Sequence, residues 1–125
     1  MPKKILIVDD EKDVADALRL GLERNGFQVT VYYDAAVALA AFRPGGYDLS
    51  IIDIRMPGMN GFELFRRIQK LDPGAKICFL TAFEMYKSEF EKLFPDLPVA
   101  GFLRKPISIA ELTVQVKKLT AQSNA

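Results

Sequence analysis

Short apolar runs alternate with longer segments of helical period along the chain, and this alternation constrains the fold more than any other feature. Each apolar run has only four or five residues, a length typical of strands that are buried on both faces of a sheet. The runs lie at 5–8, 29–32, 49–52, 77–80 and 99–103. In the segments between them apolar residues recur every three or four positions, as Val14, Leu18 and Leu22 do. We therefore predict five buried strands, each followed by a helix.

The residues at the predicted helix ends agree with this alternation. Asn25-Gly26 is typical of a helix C-terminus, and Ser108 with Glu111 forms a capping box at the start of the last helix. Consecutive strands that are joined by helices are parallel, and right-handed crossovers place helices on both faces of the sheet. The sequence therefore predicts an α/β fold with a doubly wound, five-stranded parallel sheet.

Composition limits the chemistry that this chain can perform. With 125 residues, half of them hydrophobic, it is long enough for one folded core and too apolar for a disordered protein. The absence of histidine excludes histidine-based acid–base catalysis and most zinc sites. The net charge is +1, so we expect no direct binding of nucleic acid or of a membrane surface. Cys78 is the single cysteine, and no apolar segment approaches the roughly 20 residues of a membrane span. We therefore expect a cytoplasmic protein.

Polar side chains follow four of the five predicted strands. They are Asp9, Asp10 and Glu11 after the first strand, Asp53 after the third, Thr81 after the fourth and Lys105 after the fifth. Because the carboxyl ends of parallel strands meet at one edge of the sheet, we expect these side chains to lie close together. Neighbouring carboxylates repel one another, and a bound divalent cation would relieve that repulsion. An all-oxygen ligand set suits Mg²⁺.

Such a set of side chains favours phosphoryl transfer. A carboxylate beside Mg²⁺ can act as a nucleophile and form an aspartyl phosphate. Lys105 can pair with one phosphoryl oxygen while the Thr81 hydroxyl donates a hydrogen bond to another. Phosphoryl transfer depends mainly on such positioning and charge stabilisation, so the residue types predict this chemistry at these strand ends. We call the part of the sheet edge that carries Asp9, Asp10 and Asp53 the acidic edge.

Four segments, each at the end of a predicted strand, resemble the receiver domains of two-component response regulators. They are ILIVDDE at 5–11, DIRMPGMNG at 53–61, LTA at 80–82 and FLRKP at 102–106. The resemblance covers residues 4–121 and implies the flavodoxin-like (βα)5 form of the fold, with 122–125 as a disordered tail. It implies a signalling switch that accepts a phosphoryl group from the phosphohistidine of a histidine kinase or phosphotransfer protein. Such a domain catalyses its own phosphorylation and slow dephosphorylation.

The resemblance also implies a role for each matching residue of the acidic edge. Asp53 would be the phosphoacceptor and a ligand of Mg²⁺, or of another divalent cation such as Mn²⁺. Asp10 would bind the ion directly, Asp9 mainly through water, and Arg55 through its backbone carbonyl. The 56–58 segment and Gly61 would shape the loop that presents Asp53.

Further roles follow for the residues after the fourth and fifth strands. Lys105 and the backbone amide of Ala82 would hold the phosphoryl group, and the Lys105-Pro106 peptide would be cis. On activation Thr81 would shift toward the phosphoryl group and Phe102 would turn inward into the vacated space. The face formed by the fourth helix, fifth strand and fifth helix would then change.

Two features depart from the common receiver pattern. Arg55 and Phe83 place a long cation and a large ring beside the acidic edge, and we expect them to restrict attacking water and lengthen the phosphorylated lifetime. The fourth helix carries many large apolar residues, among them Tyr86 and Phe90. We expect it to expose some of them, which leaves a homodimer built on that face as one option.

Three other interpretations compete with this prediction. Acidic residues after a strand often serve only as helix N-terminal charges. The chain could also be an interaction module that keeps the fold and has lost phosphorylation, although the acidic pair, Asp53, Thr81 and Lys105 argue against it. A hydrolase of the haloacid dehalogenase type would need a second aspartate two residues after a nucleophile on the first strand, which 9–12 lacks. The domain could stand alone or form the receiver part of a longer chain.

Cys78 is interpreted as a small buried apolar residue.

Overall fold

A single parallel sheet with helices on both faces organises the computed structural model, which describes residues 2–82, 85–93, 95 and 99–121. The strands are β1 (Lys4–Val8), β2 (Gln28–Tyr32), β3 (Leu49–Ile52), β4 (Ile77–Thr81) and β5 (Gly101–Arg104). The helices are α1 (Lys12–Arg24), α2 (Ala35–Ala41), α3 (Gly61–Leu71), α4 (Met85–Leu93) and α5 (Ile109–Ala121). The strand order is β2-β1-β3-β4-β5, and every pairing is parallel. The predicted doubly wound α/β fold is confirmed.

The position of each strand in the sheet decides how deeply it is buried. β3 and β4 are buried along their whole length, and β1 is buried from Ile5 onward. The prediction of full burial is wrong for β2 and β5, which are half-buried or exposed along their length. These two strands form the edges of the sheet, where each has a neighbouring strand on one side only. The predicted fifth strand also begins two residues too early, since β5 starts at Gly101.

The two faces of the sheet carry cores of different composition. On the face covered by α1 and α5 the fully buried side chains are aliphatic, apart from Cys78. The face covered by α2, α3 and α4 instead holds a group of phenylalanine rings whose centroids lie 5.2–5.8 Å apart. We call these rings the aromatic cluster: Phe62, Phe65, Phe79, Phe90 and Phe102.

The fourth helix is expected to expose some of its large apolar residues, and its described side chains differ in this respect. Phe90 is only 2% exposed, because its ring packs against Phe65 and Phe79 rather than facing solvent. At the end of the same helix Leu93 is 58% exposed. Phe83 and the side chain of Tyr86 lie outside the described residues.

Side-chain caps begin three of the helices. The side-chain oxygens of Asp34, Asn60 and Ser108 each accept a hydrogen bond of 3.0 Å from the backbone N–H three residues later. At the end of α1 Gly26 has a φ of 92°, a left-handed conformation that suits glycine.

The Lys105-Pro106 peptide is cis, as predicted. In the described part of the chain, helices are too short or too polar to cross a lipid bilayer.

Candidate functional site

Three carboxylates converge at the carboxyl edge of the sheet. Asp9 follows β1 and Asp53 follows β3, and these two strands are neighbours at the point where the strand order changes direction. One carboxylate oxygen from each of Asp9, Asp10 and Asp53 lies within 4.8 Å of the other two. Asp9 and Asp53 are buried, whereas Asp10 is exposed. The structure therefore brings the acidic residues singled out in the sequence into one cluster.

The backbone holds these carboxylates in place through hydrogen bonds beyond the strand ends. The Asp9 N–H donates to Tyr32 O at 3.1 Å, and the Asp53 N–H donates to Val8 O at 2.9 Å. Gly61, the first residue of α3, packs directly against the backbone of Asp53 and Ile54. A Cβ at this position would overlap the Asp53 carbonyl oxygen and lie 2.8 Å from Ile54 Cα. Glycine is therefore required for α3 to approach the residue that it helps to present.

Lys105 reaches the cluster from the end of β5. Its backbone N–H donates to Thr81 O at 2.8 Å, which continues the pairing of β4 and β5 by one residue. Its Nζ lies 2.8 Å from Asp9 Oδ2 and 2.9 Å from Glu11 Oε1. The distance from Nζ to Asp53 Oδ2 is 3.7 Å, which is beyond hydrogen-bond length. The ammonium therefore makes its two short contacts with Asp9 and Glu11, while its ion pair with Asp53 is longer.

Burial and like charges act together on Asp53. Its burial, followed by the negative charge of Asp9, raises the pKa of the carboxyl to about 7, and Lys105 only partly opposes this rise. For Lys105, burial is the largest effect and lowers the pKa, but the hydrogen bonds to Asp9 and Glu11 and the negative charges of Asp53 and Asp9 together raise the pKa by more. The site thus has a cation that stays charged and a carboxylate that is costly to ionise.

The donor set fits a divalent cation. Three carboxylates supply hard oxygen ligands, and the exposed Asp10 leaves one side open to water, as Mg²⁺ prefers. Burial raises the pKa of Asp53 most, and the negative charges of Asp9 and Asp10 raise it further; a positive ion beside these groups would offset the charge repulsion.

The other residues predicted for the site lie in different surroundings. Thr81 ends β4 and is buried, Ala82 is exposed, and Arg55 is exposed beside a groove of about 450 Å³ that Asp10 and Glu89 also line. Phe102 already packs against the core, with its ring 5.2 Å from Phe79. Its ring also lies 5.7 Å from Phe90 of α4. Phe83, which was expected to flank the site with Arg55, lies outside the described residues.

Sequence reasoning missed the part that Glu11 takes in the site. Glu11 stands next to the two aspartates, but it was assigned no partner. Its contact with Lys105 joins residues 94 positions apart. A signal was available, because glutamate is a poor N-cap residue at a position where α1 must begin. The end of β2, in contrast, takes no part in the site: Tyr33 donates to Asp16, and Asp34 caps α2.

Cys78 lies in the middle of β4 and is fully buried. Burial raises the pKa of its thiol to about 12, so it stays protonated at neutral pH. The interpretation of Cys78 as a small buried apolar residue is confirmed.

Comparison with known proteins relates this site to one family. The response regulator receiver domain family matches residues 5–117. The uncharacterized transcriptional regulatory protein YkoG of Bacillus subtilis is 34% identical over 119 residues, which are 95% of this chain and 51% of that protein. The chain spans about half the length of the transcriptional regulators that it matches.

Solved receiver structures agree with the same assignment. The non-phosphorylated HemR receiver domain of Leptospira biflexa superposes with a TM-score of 0.86 at 26% identity, covering 100% of this chain and 98% of that one. The response regulator TrrA of Thermotoga maritima, solved in complex with Mg²⁺-BeF, gives a TM-score of 0.82 at 36% identity, covering 94% and 98%. By its sequence, its strand order and the residues at its strand ends, the chain belongs to the receiver domain family of two-component response regulators.

Proposed function

We propose that this domain is a phosphorylation-controlled switch in which Asp53 accepts a phosphoryl group from the phosphohistidine of a histidine kinase or phosphotransfer protein. The observation that carries the proposal is the cluster of Asp9, Asp10 and Asp53 with Lys105 beside it. The Mg²⁺-BeF complex of TrrA supports it, because that relative binds an ion together with a beryllium fluoride group.

The proposed transfer uses the side chains of this edge directly. An Asp53 carboxylate oxygen forms the new P–O bond as the P–N bond of the donor breaks, and the imidazole leaves with that electron pair and takes up a proton. Lys105 and the Ala82 amide stabilise the charge on the phosphoryl oxygens. Mg²⁺, when held by Asp9, Asp10, Asp53 and the Arg55 carbonyl, would favour the ionised form of Asp53 and neutralise the incoming charge. Water later attacks the phosphorus, the bond from phosphorus to the Asp53 oxygen breaks, and inorganic phosphate leaves as the carboxylate is restored.

The switch would connect the phosphoryl group to the surface through Thr81 and Phe102. Phe102 lies on β5 and contacts Phe90 of α4. A change in the packing of Phe102 would therefore alter the contacts that hold α4. A two-state change of this kind needs only a difference in free energy between the two packings that the phosphoryl group favours unequally. The face formed by α4, β5 and α5 is therefore the proposed output surface.

Intact-mass spectrometry after incubation with acetyl phosphate and Mg²⁺ tests the proposal. We expect one added phosphoryl group in the wild-type protein, none in Asp53→Ala and none when the metal is chelated. Asp13→Ala, which removes an exposed carboxylate of α1, is the matched control and should gain the group normally. If the wild-type protein gains no mass and shows no NMR response to beryllofluoride, the interaction-module alternative is favoured instead.

A further inference from the structure

The start of α1 departs from the rule that the other capped helices follow. Asp34, Asn60 and Ser108 each accept a hydrogen bond from the first turn of their own helix. Glu11 occupies the N-cap position of α1 but makes no such bond with its side chain. A shorter Asp or Ser would satisfy the helix better, so local helix formation does not account for glutamate here.

The Glu11 side chain reaches Lys105 instead. Its Oε1 lies 2.9 Å from Lys105 Nζ, and the Glu11 side chain is 59% exposed. Asp9 holds the same ammonium from the buried side, with its own side chain only 2% exposed. With these two contacts in place, Nζ lies 3.7 Å from Asp53 Oδ2.

We propose that Glu11 is a positioning residue that holds Lys105 back from Asp53 and competes with the phosphoryl group for the ammonium. The inference rests on the proposed function, because it concerns the fate of Lys105 when Asp53 is modified. Asp9 approaches from the interior and is a proposed metal ligand, so it has a second cation to bind when the site is loaded. In the part of the chain that the structure describes, the Glu11 side chain makes no hydrogen bond or ion pair with any residue other than Lys105. Removing the Glu11 contact should therefore favour the state in which Lys105 pairs with a phosphoryl group.

Two substitutions distinguish the contact between Glu11 and Lys105 from the general effect of a negative charge near the site. Glu11→Gln removes the negative charge and the ion pair. Glu11→Asp keeps the charge, but its carboxylate is one methylene shorter, so it falls short of Lys105 and is suited to capping α1. Asp13→Asn is the matched control, since Asp13 is an exposed carboxylate in the first turn of α1.

Affinity for beryllofluoride in the presence of Mg²⁺, followed by NMR titration, measures the competition. Exposed ion pairs contribute modestly, so we expect both Glu11 variants to bind roughly two- to five-fold more tightly than wild type. Asp13→Asn should stay within about 1.5-fold of wild type, since it breaks no contact with Lys105. If Glu11→Asp binds like wild type, or if Asp13→Asn matches Glu11→Gln, the effect is one of charge alone and the proposal is overturned.

A second readout uses the metal-free protein and does not depend on phosphorylation. The ¹⁵N-resolved signal of the Lys105 ammonium should be sharp in wild type, because the group is held by two carboxylates. It should broaden in both Glu11 variants and stay sharp in Asp13→Asn; an unchanged signal in the Glu11 variants would overturn the contact. Absence of a beryllofluoride complex in wild type would overturn the proposed function and the competition, while this signal would still show whether Glu11 holds Lys105.

Discussion

The aromatic cluster and the acidic edge are both built on the one parallel sheet, but they contribute to stability with opposite sign. In the aromatic cluster Phe79 is fully buried, and its ring contacts four others. At the acidic edge Asp9 and Asp53 are nearly as deeply buried, with exposed fractions of 1% and 7%. Removal from water stabilises a ring and destabilises an ionised carboxylate, so similar burial has opposite energetic consequences.

Favourable and unfavourable burial lie only one residue apart along the chain. Val8 and Ile52 are fully buried apolar residues, and Asp9 and Asp53 follow them directly. The apolar strands hold the carboxylates rigidly at a distance at which they repel each other. We conclude that the apolar core provides the stability that compensates for the unfavourable charges of the site.

The largest expected effect comes from breaking the aromatic cluster. Phe79→Ala would leave a cavity among four rings, and we expect it to lower the free energy of unfolding by about 3–5 kcal/mol. Leu71→Ala is the control; because this side chain is 50% exposed, its change should stay within about 0.5 kcal/mol. Urea denaturation measures both. A loss below about 1.5 kcal/mol for Phe79→Ala would mean that the cluster repacks and is not the main support of this face.

A substitution at the acidic edge should have the opposite sign. The pKa of Asp53 is raised from 3.8 to about 7 by folding, so the folded state binds the proton more tightly than the unfolded state. Its unfavourable contribution is therefore absent below about pH 4, grows as the pH rises to 7 and is complete above that. Asp53→Asn should raise the free energy of unfolding at pH 8 by an amount on the order of 1–3 kcal/mol, and by much less at pH 4.

Denaturation curves at pH 4, 6 and 8 in a chelating buffer test this expectation. Asp13→Asn, which removes an exposed carboxylate, should show no such gain at pH 8. Added Mg²⁺ should stabilise wild type more than Asp53→Asn, since a bound ion removes the repulsion in the wild-type cluster. A destabilised Asp53→Asn at pH 8 would show that Asp53 contributes favourably to the fold and would break the comparison.

The smallest expected changes in the free energy of unfolding come from substitutions at two helix starts. One of these helices supports the aromatic cluster, and the other begins at the acidic edge. Asn60 caps α3, which carries Phe62 and Phe65, so Asn60→Ala should cost about 1 kcal/mol. Glu11 makes no cap hydrogen bond, so Glu11→Ala should change the free energy of unfolding by less than about 0.5 kcal/mol. Thermal unfolding of the two variants in parallel provides the measurement. A cost for Glu11→Ala equal to that of Asn60→Ala would assign Glu11 a structural role in α1.

The local pattern of apolar and capping residues was sufficient to predict most of the strands and helices. The five short apolar runs predicted the strands, and Ser108 three residues before Glu111 predicted a cap that the structure contains. The same pattern failed for β2 and β5, because the period of a strand does not say whether it lies at an edge. It also left open the burial of Phe90, which depends on the rings that α3 and β4 bring against it.

The sequence by itself determined which residue types stand at the strand ends, since that depends only on where each apolar run stops. It therefore predicted an acidic edge with a lysine nearby. The tertiary structure alone decided that Lys105 contacts Glu11, 94 positions away, and stays 3.7 Å from Asp53. It also decided the pKa of Asp53, because burial and the approach of Asp9 exist only once β1 and β3 are neighbours. Patterns within one helical turn follow from local chemistry, whereas contacts between distant segments follow from the order of the strands in the sheet.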